Sequence, residues 1–254
     1  MSGVRGFADP NVQINPDGKN LTGVTTEAEY LLPYWLNYLG GEENYNKSQC
    51  LCAGANNWIP THHSFNGGLN NAWAQISTPQ SWGYFKRQDI PYHFALAESY
   101  TVADHYHLIH ETIQLTKSKA CSGPNLDCLP LKWPAFAQYL DEAGVDWRSY
   151  QNSYNWATNN GLFYFEAFQN ASTNSSLYER GLAFDGDNGL DAFKAAAAAG
   201  TLPEVSWVFP PGALQEHSPN TPIDGSWFIN QVVGSAINGK DREETVILLN
   251  YDGA

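Results

Sequence analysis

The C-terminal third of the chain alternates helical and extended patterning, and this alternation restricts the fold more than any other feature. Asn188 is placed to cap a helix that carries Phe193 and the alanine run, with Gly200 ending it. Glu204 to Phe209 (EVSWVF) then reads as a short β-branched strand. Asp224 is placed to cap a second helix bearing Trp227, Phe228, Val232, Val233 and Ile237, closed by Asn238-Gly239. Thr245 to Leu249 (TVILL) is nearly all apolar, as a central strand covered on both faces would be. Helix, strand, helix, strand is the pattern of a parallel α/β unit, whose crossover is expected to be right-handed.

Upstream the pattern is less regular. Residues 1–25 read as surface loop, and Thr26 to Leu39 shows helical spacing, with Leu31, Leu32, Trp35, Leu36 and Leu39 on one face and Pro33 kinking it. Cys50 to Gln80 has the Asn, Gly and His density of a structured loop turning at Asn66-Gly67-Gly68. Pro91 opens a helix through Phe94 to Ala97, and Tyr100 to Ala103 reads as a strand. No internal repeat or long linker interrupts the chain, so one domain over residues 1–254 is expected.

Acidic residues number 26 against 13 basic ones, giving a net charge of −13. That balance argues against nucleic acid or an anionic membrane as a bulk electrostatic partner, and any bound phosphate must find its positive field in a metal or local donors. Cys121 and Cys128 are spaced to close a small disulfide loop, whereas the Cys50 to Cys52 step is too tight to bridge easily. Neither spacing matches a zinc knuckle. Sequons at Asn20, Asn46, Asn170 and Asn174 point with the cysteines to a secretory history. Met1 to Arg5 nevertheless lacks the apolar core of a signal peptide, and no run approaches transmembrane length.

Ligands of open α/β sheets gather at the carboxyl ends of the strands. His217, in Gln215-Glu216-His217-Ser218-Pro219, and Asp252, just after Tyr251, occupy the two corresponding loops. An aspartate there suits a divalent metal, and a histidine suits phosphate, metal or a leaving oxygen, although loop aspartates are as often caps or turn residues. Among the seven histidines, His105 and His107 would share one face of a strand and reach one metal, or simply form a polar strand end. His62 falls four residues after Trp58 and four before the Asn66 turn.

Several blocks recur in a known order. They are W-x3-H with N-G-G (Trp58, His62, Asn66-Gly67-Gly68), S-W-G-Y-F-K-R-x-D-I-P (Ser81 to Pro91) and F-A-x-A-x-x-x-T-V-x-D (Phe94 to Asp104). After these come E-A-G-V-x-W (Glu142 to Trp147), A-A-G-T-L-P-x-V-S (Ala198 to Ser206), the E-H-x-P loop (Glu216 to Pro219) and T-V-I-L-L-x-Y-D (Thr245 to Asp252). In these blocks the chain resembles the phosphoesterase family of phospholipases C and acid phosphatases, specifically its fungal phospholipase C branch. The resemblance implies a three-layer α/β/α, alkaline-phosphatase-like fold and metal-assisted hydrolysis of phosphoric esters, with a phospholipid or small phosphate ester as substrate and secretion of the full-length relatives. By matching position it implies His62 and His217 as phosphate-stabilising catalytic residues and Asp252 as a ligand to a divalent metal.

Three departures accompany the resemblance. The chain opens at Gly3-Val4-Arg5-Gly6-Phe7, wording that in the family follows a metal-binding E-N-R-S-F-D-H-x-F-G motif. His105 to Lys119 replaces the family's S/T-x-P-N-R nucleophile block, and neither Thr112 nor Thr116 has the neighbours that block requires. Gly253-Ala254 stands where the family continues with an acidic residue, a Gly pair and Asp-His. An incomplete domain with impaired activity and exposed sheet edges is therefore expected, as a truncated or mis-spliced reading frame would produce. The competing expectations are a secreted lipid- or sugar-binding protein with Trp58, Trp73 and Trp82 lining a groove, or a non-functional fragment. Oligomeric state is not assigned by any of these patterns.

Overall fold

A computed structural model describes residues 14–16, 29–51, 54–55, 58–103, 130–152, 160–185 and 190–251. They fall into two compact units, the first comprising residues 14–103, 217–223 and 251, the second residues 130–216 and 224–250.

The first unit is helical with two short strand pairs. Strands β1 (Asn15–Pro16) and β2 (Tyr30–Leu31) pair antiparallel, and β3 (Tyr34–Trp35) pairs parallel with β4 (Gly83–Tyr84). The unit's helices are α1 (Glu42–Gln49), α2 (Trp58–Phe65), α3 (Trp73–Ile76) and α4 (Pro91–Ser99), with α3 packed on β1 and on α2. The helix expected over Thr26 to Leu39 does not form in its described part, residues 29–39, which holds β2 and β3 instead. Pro33 explains the outcome, since it supplies no N–H and biases Leu32 away from the helical region. The expected loop at Cys50 to Gln80 contains α2 and α3, with Pro60 tolerated in the first turn of α2. Gly83 is required where β4 pairs beside β3, because a Cβ there would lie 2.2 Å from Leu36 Cδ2. Helix α4 starts at Pro91 as expected, but residues 101–103 beyond it form no strand, with Tyr100 and Val102 exposed and without a ladder partner among the described residues.

The second unit carries the α/β character. Strands β5 (Trp147–Tyr150) and β6 (Val205–Val208) pair in parallel register, Trp147 opposite Val205 and Tyr150 opposite Val208. Strand periodicity sends Trp147, Val205 and Trp207 to one face and Tyr150 and Val208 to the other. The first face is covered by Ala137 and Leu140 of α5 (Phe136–Ala143), Phe168 of α6 (Glu166–Gln169) and Leu177 and Tyr178 of α7 (Ser176–Gly181). The second is covered by Phe193 of α8 (Leu190–Ala199) and by Val232 and Ala236 of α9 (Pro222–Ile237). Trp147, fully buried, centres the first cluster through edge contacts to Phe168 and Trp207, with ring centroids at 6.2 Å and 5.9 Å, and its Nε1 donates to Asp141 Oδ1 at 2.9 Å. Gly144 ends α5 at φ 72°, and Val145 N–H reaches back to the Leu140 carbonyl, so the E-A-G-V-x-W block is a left-handed helix stop that delivers Trp147 to the core.

Helix α8, its stop at Gly200 (φ 69°) and strand β6 match expectation, while the proposed cap Asn188 lies outside the described residues. Asp224 stands inside the first turn of α9, where its charge complements the helix dipole, and Pro222 opens the helix.

Thr245 to Leu249 departs from the expected central strand. Among the described residues it joins no ladder, and Val246 and Leu248 are 82% and 80% exposed. A β-branched run becomes a strand only when a neighbouring backbone supplies donors and acceptors, and β6 has its partner in β5. Such an exposed, unpaired segment is a template for self-association. Val246→Lys together with Leu248→Lys should leave unfolding free energy within about 0.5 kcal/mol of the parent while lowering the aggregated fraction in size-exclusion chromatography; unchanged aggregation would place its cause elsewhere.

A buried polar network closes the carboxyl end of β5. Asp185, with a side chain only 3% exposed, pairs with Arg148 and accepts from Gln151 N–H, and Asn160 Nδ2 bridges Gln151 Oε1 and the Gly181 carbonyl. Burial raises the Asp185 pKa above its ordinary 3.8, against the opposing pull of Arg148. With the folded value above the unfolded one, the native state holds this proton more tightly, so its contribution is greatest below pH 3.8 and is lost as pH rises through the folded value. Urea titrations of the parent and Asp185→Asn over that acid range should show a negative stability slope that the variant loses; identical slopes would contradict this account.

Candidate phosphate-contact site

The sequence-derived site residues belong to the first unit so far as they are described. His62 lies on the last turn of α2 with His63, and both are exposed. The helix is held from its far end. Ser64, fully buried, accepts through its carbonyl from Ala72 N–H, and Phe65 O accepts from Asn70 N–H at 2.9 Å. These bonds fold the Asn-Gly-Gly turn back on α2. Asn66 and Asn70 both adopt positive φ (46° and 52°), a region Asn tolerates because its side chain bonds locally. Asn66 Nδ2 donates to Asn71 Oδ1 at 2.8 Å, and Trp73 Nε1 donates to Asn70 Oδ1 at 2.6 Å. The N-G-G block thus terminates the His62 helix and reverses the chain into α3.

His217 is exposed on a loop tied by three bonds. Asn220 N–H donates to the His217 carbonyl at 3.0 Å, closing a four-residue turn whose Ser218-Pro219 peptide is cis. His217 Nδ1 lies 2.6 Å from the Ser218 carbonyl oxygen. Ser218 Oγ donates to the carbonyl of Leu51, a residue 167 positions earlier in the chain. The E-H-x-P loop is therefore fastened to Leu51, just beyond the end of α1. Ser218 and the Leu51 carbonyl were missed by sequence reasoning, since no periodicity links positions so far apart.

The other candidates do not enter this description. Asp252, His105, His107, His110, Thr112, Thr116, Cys52 and the Cys121–Cys128 pair lie outside the described residues. Cys50 is an exposed free thiol. Among the described residues no group of three or more His, Cys, Asp or Glu is placed to hold a metal, and Asp252, the ligand that the resemblance implies, lies outside them. The groove proposed for Trp58, Trp73 and Trp82 is not formed by all three, because Trp82 is 7% exposed and belongs to the core. No helix among the described residues is long and apolar enough to cross a membrane.

A parallel strand pair with helices on both faces gives the second unit its α/β character. The phosphoesterase family pattern matches residues 1–254, and the chain belongs to that family. It is 27% identical to the hemolytic phospholipase C of Pseudomonas aeruginosa over 99% of this chain and 39% of that protein. It is 28% identical to the non-hemolytic phospholipase C of Burkholderia pseudomallei over 99% of this chain and 41% of that protein. With phospholipase C A of Mycobacterium tuberculosis the identity is 30% over 99% of this chain and 54% of the relative. The chain thus spans about two fifths to one half of the length of these curated relatives. The match to the Pseudomonas enzyme runs over 299 positions, more than the 254 residues available, so that relative carries extra residues between the shared blocks.

The turn that orients α2 generates a prediction. Asn66→Ala removes the local side-chain bond that lets Asn hold a positive φ, at a cost of about 1–3 kcal/mol. Asn66→Gly keeps the backbone conformation and should cost less, as measured by equilibrium urea unfolding; equal losses would mean that backbone conformation is not the constraint.

Proposed function

We propose that this chain is a phospholipase C-like phosphoric-ester hydrolase by descent, with His62 and His217 contacting the phosphoryl group. The observation that carries the reading is the bond from Ser218 Oγ to the Leu51 carbonyl, which ties the E-H-x-P loop to the stretch of chain that precedes the W-x3-H helix in sequence. Two imidazoles offer N–H donors and, when protonated, positive charge to phosphoryl oxygens in a chain with a net charge of −13. The substrate class is a phosphodiester head group of a phospholipid or a small phosphate ester, in keeping with the phospholipase C names of the relatives. A divalent metal, with Asp252 as a ligand, belongs to the same reading; bound, it would polarise the phosphoryl oxygens.

The same reading takes both units as parts of one alkaline-phosphatase-like domain, supported in the second unit by helices on both faces of the β5–β6 pair. The blocks at Ser81 to Pro91 and Phe94 to Asp104 support placement in the fungal branch. Exposed sequons at Asn46, Asn170 and Asn174 support secretion. Turnover is proposed to be impaired, because His105 to Lys119 stands where the family's nucleophile block is expected.

The purified chain, assayed with divalent metal for release of a phosphorylated head group or of an aryl leaving group, should turn over slowly. His62→Ala and His217→Ala should each lower kcat/KM by about 10²–10³-fold. Turnover untouched by both substitutions would overturn the phosphate-contact assignment, and rapid turnover by the parent would overturn the proposed impairment.

A further inference from the structure

The bonds of the His217 loop specify more than its position. The Ser218 carbonyl oxygen accepts hydrogen bonds and carries no proton, so the ring nitrogen 2.6 Å from it must donate. Neutral His217 is therefore the Nδ1–H tautomer, with the proton of Nδ1 held by the carbonyl of the next residue and the lone pair on Nε2. Nδ1–H is engaged inside the loop and is not available to a ligand. Nε2 lies at the other side of an exposed ring.

From this geometry we propose that Nε2 of His217 is the nitrogen that meets the phosphoryl oxygen, and that Ser218 is a positioning residue acting through it. The inference rests on the reading of His217 as a phosphate contact and adds which atom serves and what orients it. Ser218 acts from both of its polar ends. Its carbonyl selects the tautomer, and its hydroxyl, donated to Leu51 O, holds that carbonyl in place. When Nε2 gains a proton, Nδ1–H remains on the Ser218 carbonyl, so the imidazolium presents a single outward donor to an anionic oxygen. A histidine without this tie would divide its neutral form between two tautomers and rotate freely about its side-chain bonds, losing the preorganisation that a phosphoryl contact uses. The Asn220 N–H bond to the His217 carbonyl restrains the backbone of the same residue.

The test is a long-range proton–nitrogen spectrum of the full chain with labelled histidine, in which His217 is assigned through His217→Gln and inorganic phosphate is the probe. The expected result is an Nδ1–H tautomer in the neutral form and a phosphate-dependent change centred on Nε2. Ser218→Ala should shift the tautomer ratio toward a mixture and weaken phosphate binding about fivefold, the effect of losing one modest hydrogen bond. Ser218→Thr, which keeps the hydroxyl, should restore both. An Nε2–H tautomer in the parent would overturn the inference while leaving His217 as a phosphate contact. The Nδ1–H tautomer with no phosphate response at either nitrogen would overturn the underlying reading as well. A folded Ser218→Ala protein, checked by circular dichroism, with parental spectra and affinity would remove Ser218 from any positioning role.

Discussion

The first unit depends on the burial of one carboxylate. Asp89 is fully removed from solvent, and a polar side chain in that position costs stability unless donors meet it. Trp35 Nε1 donates to its Oδ2 at 2.6 Å and Lys86 N–H at 2.7 Å, while its backbone carbonyl accepts from Gln49 Nε2 at 3.1 Å and Tyr45 hydroxyl at 3.3 Å. Those donors come from β3, from the turn after β4 and from α1, so one residue collects three elements separated in sequence. Lys86 adds its ammonium 4.2 Å from the Trp35 ring centroid, and Pro91, two residues after Asp89, opens α4. The S-W-G-Y-F-K-R-x-D-I-P block is therefore a packing device. Gly83 leaves room for Leu36 beside the β3–β4 pair, Trp82 fills the core, and Asp89 gathers the donors.

The second unit is organised by the two faces of β5–β6. Four residues per strand suffice because each face is covered, and Trp147 on one side and Tyr150 on the other supply large aromatic surfaces for the helices to cover. Tyr150 meets Phe193 edge-on with ring centroids 5.4 Å apart. The helix–strand–helix order read from residues 188–239 was legible because each element has a strong local signal: a left-handed glycine stop at Gly200, β-branched residues in β6 and a proline at the first position of α9. Thr245 to Leu249 had an equally strong composition and still forms no ladder among the described residues. Pairing is a property of two backbones, and composition describes one.

The candidate site divides in the same manner. His62 and His217 stand out through blocks of neighbours, and the reason for those neighbours becomes clear in the structure: Asn66 and Asn70 take positive φ to turn the chain after α2, and Ser218 carries the bond that ties the His217 loop. The misread helix over residues 29–39 shows the opposite error. Its apolar spacing imitated a helix face, and the backbone restriction at Pro33 outweighed it.

By itself the sequence determined membership in the phosphoesterase family and the helix–strand–helix order ahead of Asn238, and it singled out His62 and His217 as candidates, because these reside in local patterns and in the succession of blocks. Only the tertiary structure decided which strands pair, that Asp89 is buried among donors from three elements, and that Nδ1 of His217 lies against the Ser218 carbonyl. Each of those outcomes turns on hydrogen bonds between residues distant in sequence or on the direction of a single donor, and neither quantity leaves a period or a spacing in the chain.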